Sequence, residues 1–339
     1  MSHLGDVVCA LPVFHALREA YPEAALAWVV QPEFAGLVEG LPGLQRTFRF
    51  ERRGGLRAWL RLRRELAAFA PELAVDAQGN LKSAAALLFS GAPRRAGLHP
   101  SEWRERTGAR VLTEAAPPSG GTHAVERMRA LARFVSGGRG GARADPGLAP
   151  AELSAGREEL ERLFPCGARG VAVLHLSPPA DVRSWPAARF GELARLLAAG
   201  GRPVLLVSVP GEEEQGLALA RELGERPVRH LVGQRDLRRL AALFAAAAER
   251  GGVFAGADSG PLHLACAAGL PAVCLAGPQD ARRTGPWPAD AGRAAVAVVR
   301  AAEPPACAPC LRRICRHPEG PVCMRDIAVG DVVAVLSAR

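Results

Sequence analysis

The chain has 339 residues, 49% of them hydrophobic and 23% charged, with 43 basic side chains against 34 acidic ones for a net charge of +9. That length favours two domains, and the composition excludes a disordered, collagen-like or small disulfide-stapled protein. Apolar runs stop at Arg, Gly or Pro short of the ~18 residues of a membrane-spanning helix, and no secretion signal opens the chain, so the cytoplasm is the expected location.

In chain order, the spacing of apolar residues predicts a helix over Val7 to Ala20, a strand over Leu26 to Val30 and a strand over Thr47 to Phe50. A helix over Leu56 to Phe69, a strand over Leu73 to Asp76 and a helix over Leu81 to Ser90 follow. From Ser136 to Pro150 the chain is rich in Gly, Arg and Pro and has no period, which reads as a linker. Strand-like runs then resume at Val171 to Leu176, Pro203 to Ser208, Val253 to Ala255 and Ala272 to Leu275, each followed by a loop and a helical pattern. Strands alternating with helices imply parallel doubly wound sheets. The expectation is two Rossmann-like α/β domains, 1–150 and 151–339, facing each other across a cleft, with ligands beyond the carboxyl ends of the strands.

The loops at those ends carry the candidate chemistry. Ser2-His3-Leu4-Gly5-Asp6 stands directly before the first predicted helix, where the helix dipole would keep Asp6 ionised and able to accept a proton; the alternative is an ordinary helix cap. Asp76-Ala77-Gln78-Gly79 precedes a helix bearing Lys82, the one lysine of the chain. Its Asp and Gln are suited to sugar hydroxyls and its ammonium to an anion. After the next domain's first strand come Ser177 and, ahead of a helix, Arg183, a pairing suited to a diphosphate. Glu212-Glu213-Glu214 offers either favourable charge for a helix N-terminus or a carboxylate for a ribose diol. Asp258-Ser259-Gly260-Pro261-Leu262-His263 sets a hydroxyl and backbone amides at a helix N-terminus, the general recipe for holding phosphate oxygens, or else forms a tight strand-to-helix turn with His263 satisfied inside. No Walker loop and no Gly-x-Gly-x-x-Gly after a strand is present, which argues against a P-loop enzyme or a nicotinamide dehydrogenase.

Taken together and in order, these blocks, with Trp28-Val29-Val30, Gly97-Leu98, Arg104, His123-Ala124-Val125-Glu126-Arg127 and Gly277-Pro278, resemble the bacterial lipopolysaccharide heptosyltransferases, glycosyltransferase family 9. The Asp-Ala-Gln-Gly-x-x-Lys-Ser block and the Trp-Val-Val strand look most like the family's heptosyltransferase I branch. The resemblance implies a GT-B fold, the acceptor on the first domain and ADP-heptose on the second, and inverting transfer with no cofactor required for catalysis. It implies Asp6 as catalytic base and Ser177, Arg183, Glu213, Asp258, Ser259, Gly260 and His263 as donor contacts. Gln78, Lys82 and Arg104 are the corresponding acceptor contacts, the acceptor being Kdo-lipid A met at the inner face of the cytoplasmic membrane. Arg183 stands where the family usually has lysine.

The chain departs from the family pattern in two places. Family members place a short apolar strand before the Ser-x-x-Gly-Asp loop, so the first sheet is expected to lack a central member. The C-terminal Cys307-x2-Cys310-x4-Cys315-x7-Cys323 has zinc-ligand spacing, and reduced packing cysteines or a disulfide are the favoured alternatives to a structural zinc. Two competing functions stay open at this level: a related transferase with another nucleotide-sugar donor, and a basic nucleic-acid-binding protein. The second is disfavoured because aromatics are only 5% of the chain, too few for base stacking.

Overall fold

The computed structural model describes residues 3–139, 143–178, 180–208, 213–224, 227–231, 233, 236–287 and 296–338. It divides into two compact units, Met1–Gly147 and Leu148–Arg339. Ser2, Pro210, Gly211, Glu212 and part of the Gly-rich linker lie outside the described residues.

The first unit contains α1 (Leu4–Cys9), α2 (Leu11–Ala20), β1 (Leu26–Val30), α3 (Pro32–Glu39), β2 (Leu44–Arg49), α4 (Gly55–Phe69), β3 (Leu73–Asp76), α5 (Leu81–Phe89), β4 (Arg94–Gly97), β5 (Glu114–Ala115) and α6 (Ala124–Val135). The helix predicted from Val7 starts three residues earlier and divides at Ala10, with Pro12 in the first turn of the second piece. Proline lacks the amide that an unbroken helix needs, and fits the first turn of a new one. All strand pairs are parallel, yet they form separate sheets, β1 with β2 and β3 with β4 and β5. A cavity of about 570 Å³ is lined by Ala27 and Val29 of β1, Leu73 and Val75 of β3, Phe14 and Leu17 of α2, and Leu66 and Phe69 of α4.

The second unit contains α7 (Pro150–Leu163), β6 (Ala172–His175), α8 (Ala187–Ala199), β7 (Val204–Val207), α9 (Glu213–Leu223), β8 (Val228–Leu231), α10 (Leu237–Glu249) and β9 (Val253–Ala257). These are followed by α11 (Gly260–Ala267), β10 (Ala272–Leu275), α12 (Ala281–Thr284), β11 (Val296–Val299), α13 (Val322–Arg325) and α14 (Val329–Ser337). One parallel sheet runs β11-β10-β9-β6-β7-β8. Strands β6, β7, β9 and β10 are buried at every position, as expected for a sheet covered on both faces. Trp185 and Phe190 pack edge to face at 4.9 Å within the core of this unit, which Leu174, Leu206 and Leu336 help to fill. Helix α7 lies close on α10, because a Cβ at Gly156 would come within 2.4 Å of the Ala242 carbonyl oxygen.

Candidate functional site

In the first unit the structure brings the two leading motifs together. Asp6, in the first turn of α1 and half-buried, accepts a hydrogen bond on Oδ2 from Gln78 Nε2 at 3.3 Å. Helix α1 has His3 as its N-cap, so Asp6 is not the ordinary cap that the alternative reading required. Gln78 is fixed by the turn that follows β3: the Asp76 Oδ1 atom accepts the amides of Gln78 and Gly79 at 2.7 and 2.9 Å. Gly79 has φ +67°, a conformation that favours glycine, and a Cβ there would sit tightly against Trp103 Cα at 3.3 Å. The Arg104 amide donates to the Gly79 carbonyl at 2.9 Å, which brings the Arg104 backbone against the same turn. Lys82 is exposed on the first turn of α5, whose cap Asn80 accepts the amides of Lys82 and Ser83, each at 3.0 Å.

Asp76 is the correction here. Expected to meet sugar hydroxyls, it is buried and faces its own loop, a shaping role that the four-residue strand alone could not reveal. Burial pushes its carboxyl above the ordinary value, while the Gly79 amide, the Ser83 hydroxyl and the Gln78 amide pull the other way.

In the second unit, the strand order reverses between β6 and β9, with β7 and β8 on one side and β10 and β11 on the other. Such a reversal opens a crevice at the carboxyl ends, where α/β sheets bind ligands. Arg183, in the loop after β6, bridges it by donating from Nη1 to the Asp258 carbonyl at 2.7 Å. The Asp181 carboxylate grips the same guanidinium through two bonds of 2.6 and 2.9 Å, and Asp181 is thereby held below the usual carboxylate range. The Asp258 carboxylate lies 3.2 Å from His263 Nε2 on Oδ1 and accepts the Thr284 hydroxyl on Oδ2 at 2.7 Å. His263 is therefore satisfied inside, and Asp258 and His263 brace the turn. Ser259 caps α11 without a side-chain cap bond, and its hydroxyl has no partner among the described residues. That hydroxyl is buried, and it lies at the N-terminal end of α11, where a helix leaves backbone amides unpaired, the arrangement on which anions are held.

Ser177 is buried after β6, and its carbonyl accepts the Ser184 hydroxyl at 3.1 Å. Glu213 begins α9, and its carboxylate lies against Gly233, where a Cβ would stand 2.9 Å from Oε1. Beside them is a cluster that the sequence reading did not reach: the Ser208 hydroxyl lies 2.8 Å from His230 Nε2 and accepts the Gly233 amide at 3.3 Å. Burial lowers the His230 pKa. Asp181, Ser208, His230 and Thr284 were all missed: Asp181 and Ser208 follow strands β6 and β7, whereas His230 lies within β8 and Thr284 ends α12, where no sequence signal marked them.

The cysteines of the C-terminal segment are free thiols. Burial and the neighbouring Cys310, Cys315 and Cys307 raise the Cys323 pKa, yet among the described residues no group of three or more His, Cys, Asp or Glu side chains is placed to hold a metal ion.

Two Rossmann-like units, the second with an anion-ready turn at its sheet's switch point, place the molecule in the GT-B class of glycosyltransferases. The family model "Glycosyltransferase family 9 (heptosyltransferase)" matches residues 59–319. "Lipopolysaccharide heptosyltransferase 1" of Pseudomonas aeruginosa is 32% identical over 334 residues, covering 93% of this chain and 86% of that protein. Among solved structures, E. coli heptosyltransferase WaaC with ADP aligns at TM-score 0.75 and 22% identity over 100% of this chain and 97% of that one. The same E. coli protein with ADP-2-deoxy-2-fluoro heptose aligns at TM-score 0.73 and 22% identity, covering 100% and 97%. The chain belongs to glycosyltransferase family 9, and is a glycosyltransferase of the heptosyltransferase type. The nucleic-acid-binding alternative is not favoured.

Proposed function

We propose that the enzyme transfers heptose from ADP-heptose to the Kdo region of lipid A, with inversion at the anomeric carbon, in synthesis of the lipopolysaccharide inner core. The observation that carries this reading is the crevice between β6 and β9, where Arg183 is clamped on the Asp258 carbonyl next to the buried, unpartnered Ser259 hydroxyl and the N-terminus of α11. The relatives' names support the donor sugar and a lipopolysaccharide product: the Pseudomonas protein is a lipopolysaccharide heptosyltransferase, and the E. coli protein was solved with ADP and with a fluorinated ADP-heptose; the Kdo acceptor is the family resemblance's own implication.

In this reading the second unit takes the donor. Arg183, Ser259 and the Gly260 turn meet the diphosphate, Ser177 and Glu213 line the nucleotide, and Asp258 and His263 hold the turn in shape. The first unit takes the acceptor through Gln78, Lys82 and Arg104. Asp6 accepts the proton of the attacking hydroxyl, the new bond forms to the anomeric carbon, and the bond to ADP breaks with its electron pair leaving on the phosphate. Charge on the departing ADP is met by the guanidinium, the hydroxyl and the helix amides, so no metal enters the scheme. No helix among the described residues is long and apolar enough to cross a membrane, and the enzyme in this proposal meets its lipid-linked acceptor from the cytoplasmic side.

The test is turnover with Kdo-lipid A and a panel of ADP-heptose, UDP-sugars and GDP-sugars, with and without EDTA. Turnover confined to ADP-heptose and indifferent to the chelator is expected. Turnover with a different nucleotide sugar would replace the donor, and inhibition by EDTA would end the metal-free scheme.

A further inference from the structure

We infer that the outward face of α4 docks on an anionic lipid bilayer. Between Glu51 and Arg64 the chain carries six arginines against one glutamate. Helix α4 buries Ala58, Leu62 and Leu66, and Trp59 extends that stripe by packing tilted on Phe50 at 4.4 Å and edge to face on Phe89 of α5 at 5.6 Å. The core thus accounts for one side of the helix. On another, Leu56 is 74% exposed and Leu60 43% exposed, and Ala67 is exposed beside them. At 3.6 residues per turn these three project within roughly 40° of one another, with Arg63 on one flank and Arg57 and Arg64 on the other. Arg61 lies 3.9 Å from Glu51 and donates to the Arg49 carbonyl at 3.5 Å; among the described residues the other five arginines make no ion pair.

Leucines held in water gain nothing for the fold, and a purely phosphate-binding surface would have no use for them. At a bilayer interface both features are used: the leucines enter the acyl boundary, and the guanidiniums reach outward to lipid phosphates on long apolar stems. Helix α5, joined to α4 through Phe89, adds Leu81 and Leu88, each 52% exposed, beside exposed Lys82. The inference deepens the reading above, whose acceptor is lipid-linked, by naming the surface that meets the membrane.

The test is co-sedimentation of the full chain with phosphatidylcholine vesicles, with and without phosphatidylglycerol, at low and high salt, with neither donor nor acceptor present. A failed donor panel therefore leaves this result intact, and the reverse holds too. Binding that needs phosphatidylglycerol and weakens with salt is expected, and Leu56→Ser with Leu60→Ser, or Arg57→Gln, Arg63→Gln and Arg64→Gln together, should each lower the partition constant about tenfold or more. Circular dichroism checks that the variants fold, and turnover on a delipidated acceptor should stay at the parent's rate. Equal partitioning of variants and parent would overturn the inference. So would an equal loss on removing the exposed Arg312, Arg313 and Arg316, which would make net charge the cause. A rise in KM for the delipidated acceptor would also overturn it, because α4 would then read the acceptor itself.

Discussion

Asp6 tests the chemistry most directly, because its carboxylate is both half-buried and oriented by a neighbour's amide. Asp6→Asn keeps the shape and still accepts the Gln78 bond on its carbonyl oxygen, but cannot take a proton. The rate constant with ADP-heptose is expected to fall by about 10²-fold or more with ADP affinity nearly unchanged, read by single-turnover kinetics beside calorimetric titration. Near-normal turnover would remove Asp6 from the mechanism. His175, at the end of β6, bears on stability instead. Burial, followed by the nearby Arg183 charge, lowers its pKa from 6.5 to about 4. The unfolded chain therefore takes up this proton first as pH falls: the stabilisation is complete above about pH 6.5 and is lost on the way down to about pH 4. By linkage the loss between pH 7.5 and 5 is roughly 2 kcal/mol, and His175→Gln should flatten that part of the profile in urea titrations. An unchanged slope in the variant would show that other groups govern it.

At the scale of elements, what could be read in the chain was what burial imposes on composition. Leu26 to Val30, Leu73 to Asp76 and Ala272 to Leu275 stand where the strand pattern placed them: each is a short apolar run, fully buried in the last case and partly buried in the first two, which flank the cavity. Strand β4 reads Arg-Arg-Ala-Gly and gave no such signal: Arg94 turns out to pair with Glu114 at 2.7 Å and Arg95 bonds the Val111 and Ala92 carbonyls. Strand β8 hid for a related reason, since its Arg229 is exposed and its His230 serves Ser208. The site followed the same logic. Loop positions after strands were legible, whereas the division of labour was not, because Asp258 is engaged by Arg183 and Thr284 from 75 and 26 residues away. The cavity between β1 and β3 yields an element-scale prediction. Each flanking strand is an edge of its own parallel sheet, neither pairs across the gap, and helices α2 and α4 contribute to its wall. An apolar, β-branched segment of strand length joined ahead of Met1 is expected to seat there and raise Tm by about 5 °C or more through buried apolar area and ladder hydrogen bonds. Calorimetry of the extended and parent chains decides it, and an unchanged Tm would show that the cavity does not take a strand.

For the whole molecule, the two units differ in how completely each closes its own core. The second has one unbroken six-stranded sheet, with an apolar cluster reaching from Leu174 on β6 to Leu336 on α14. The Arg202 side chain ties the end of the chain to this core through bonds to the Gly170 and Leu336 carbonyls. Every donor contact in the proposal, from Ser177 to His263, also belongs to this unit. A domain with its own core and its own ligand groups folds and binds alone. Residues 148–339 expressed by themselves are therefore expected to unfold cooperatively and to bind ADP within about threefold of the full chain's affinity, while transferring no sugar, since Asp6, Gln78, Lys82 and Arg104 are left behind. Calorimetric unfolding and ADP titration of the fragment check both halves of the claim. A fragment that folds but does not hold ADP would place nucleotide contacts on the first unit, and the allocation of donor and acceptor would have to be redrawn.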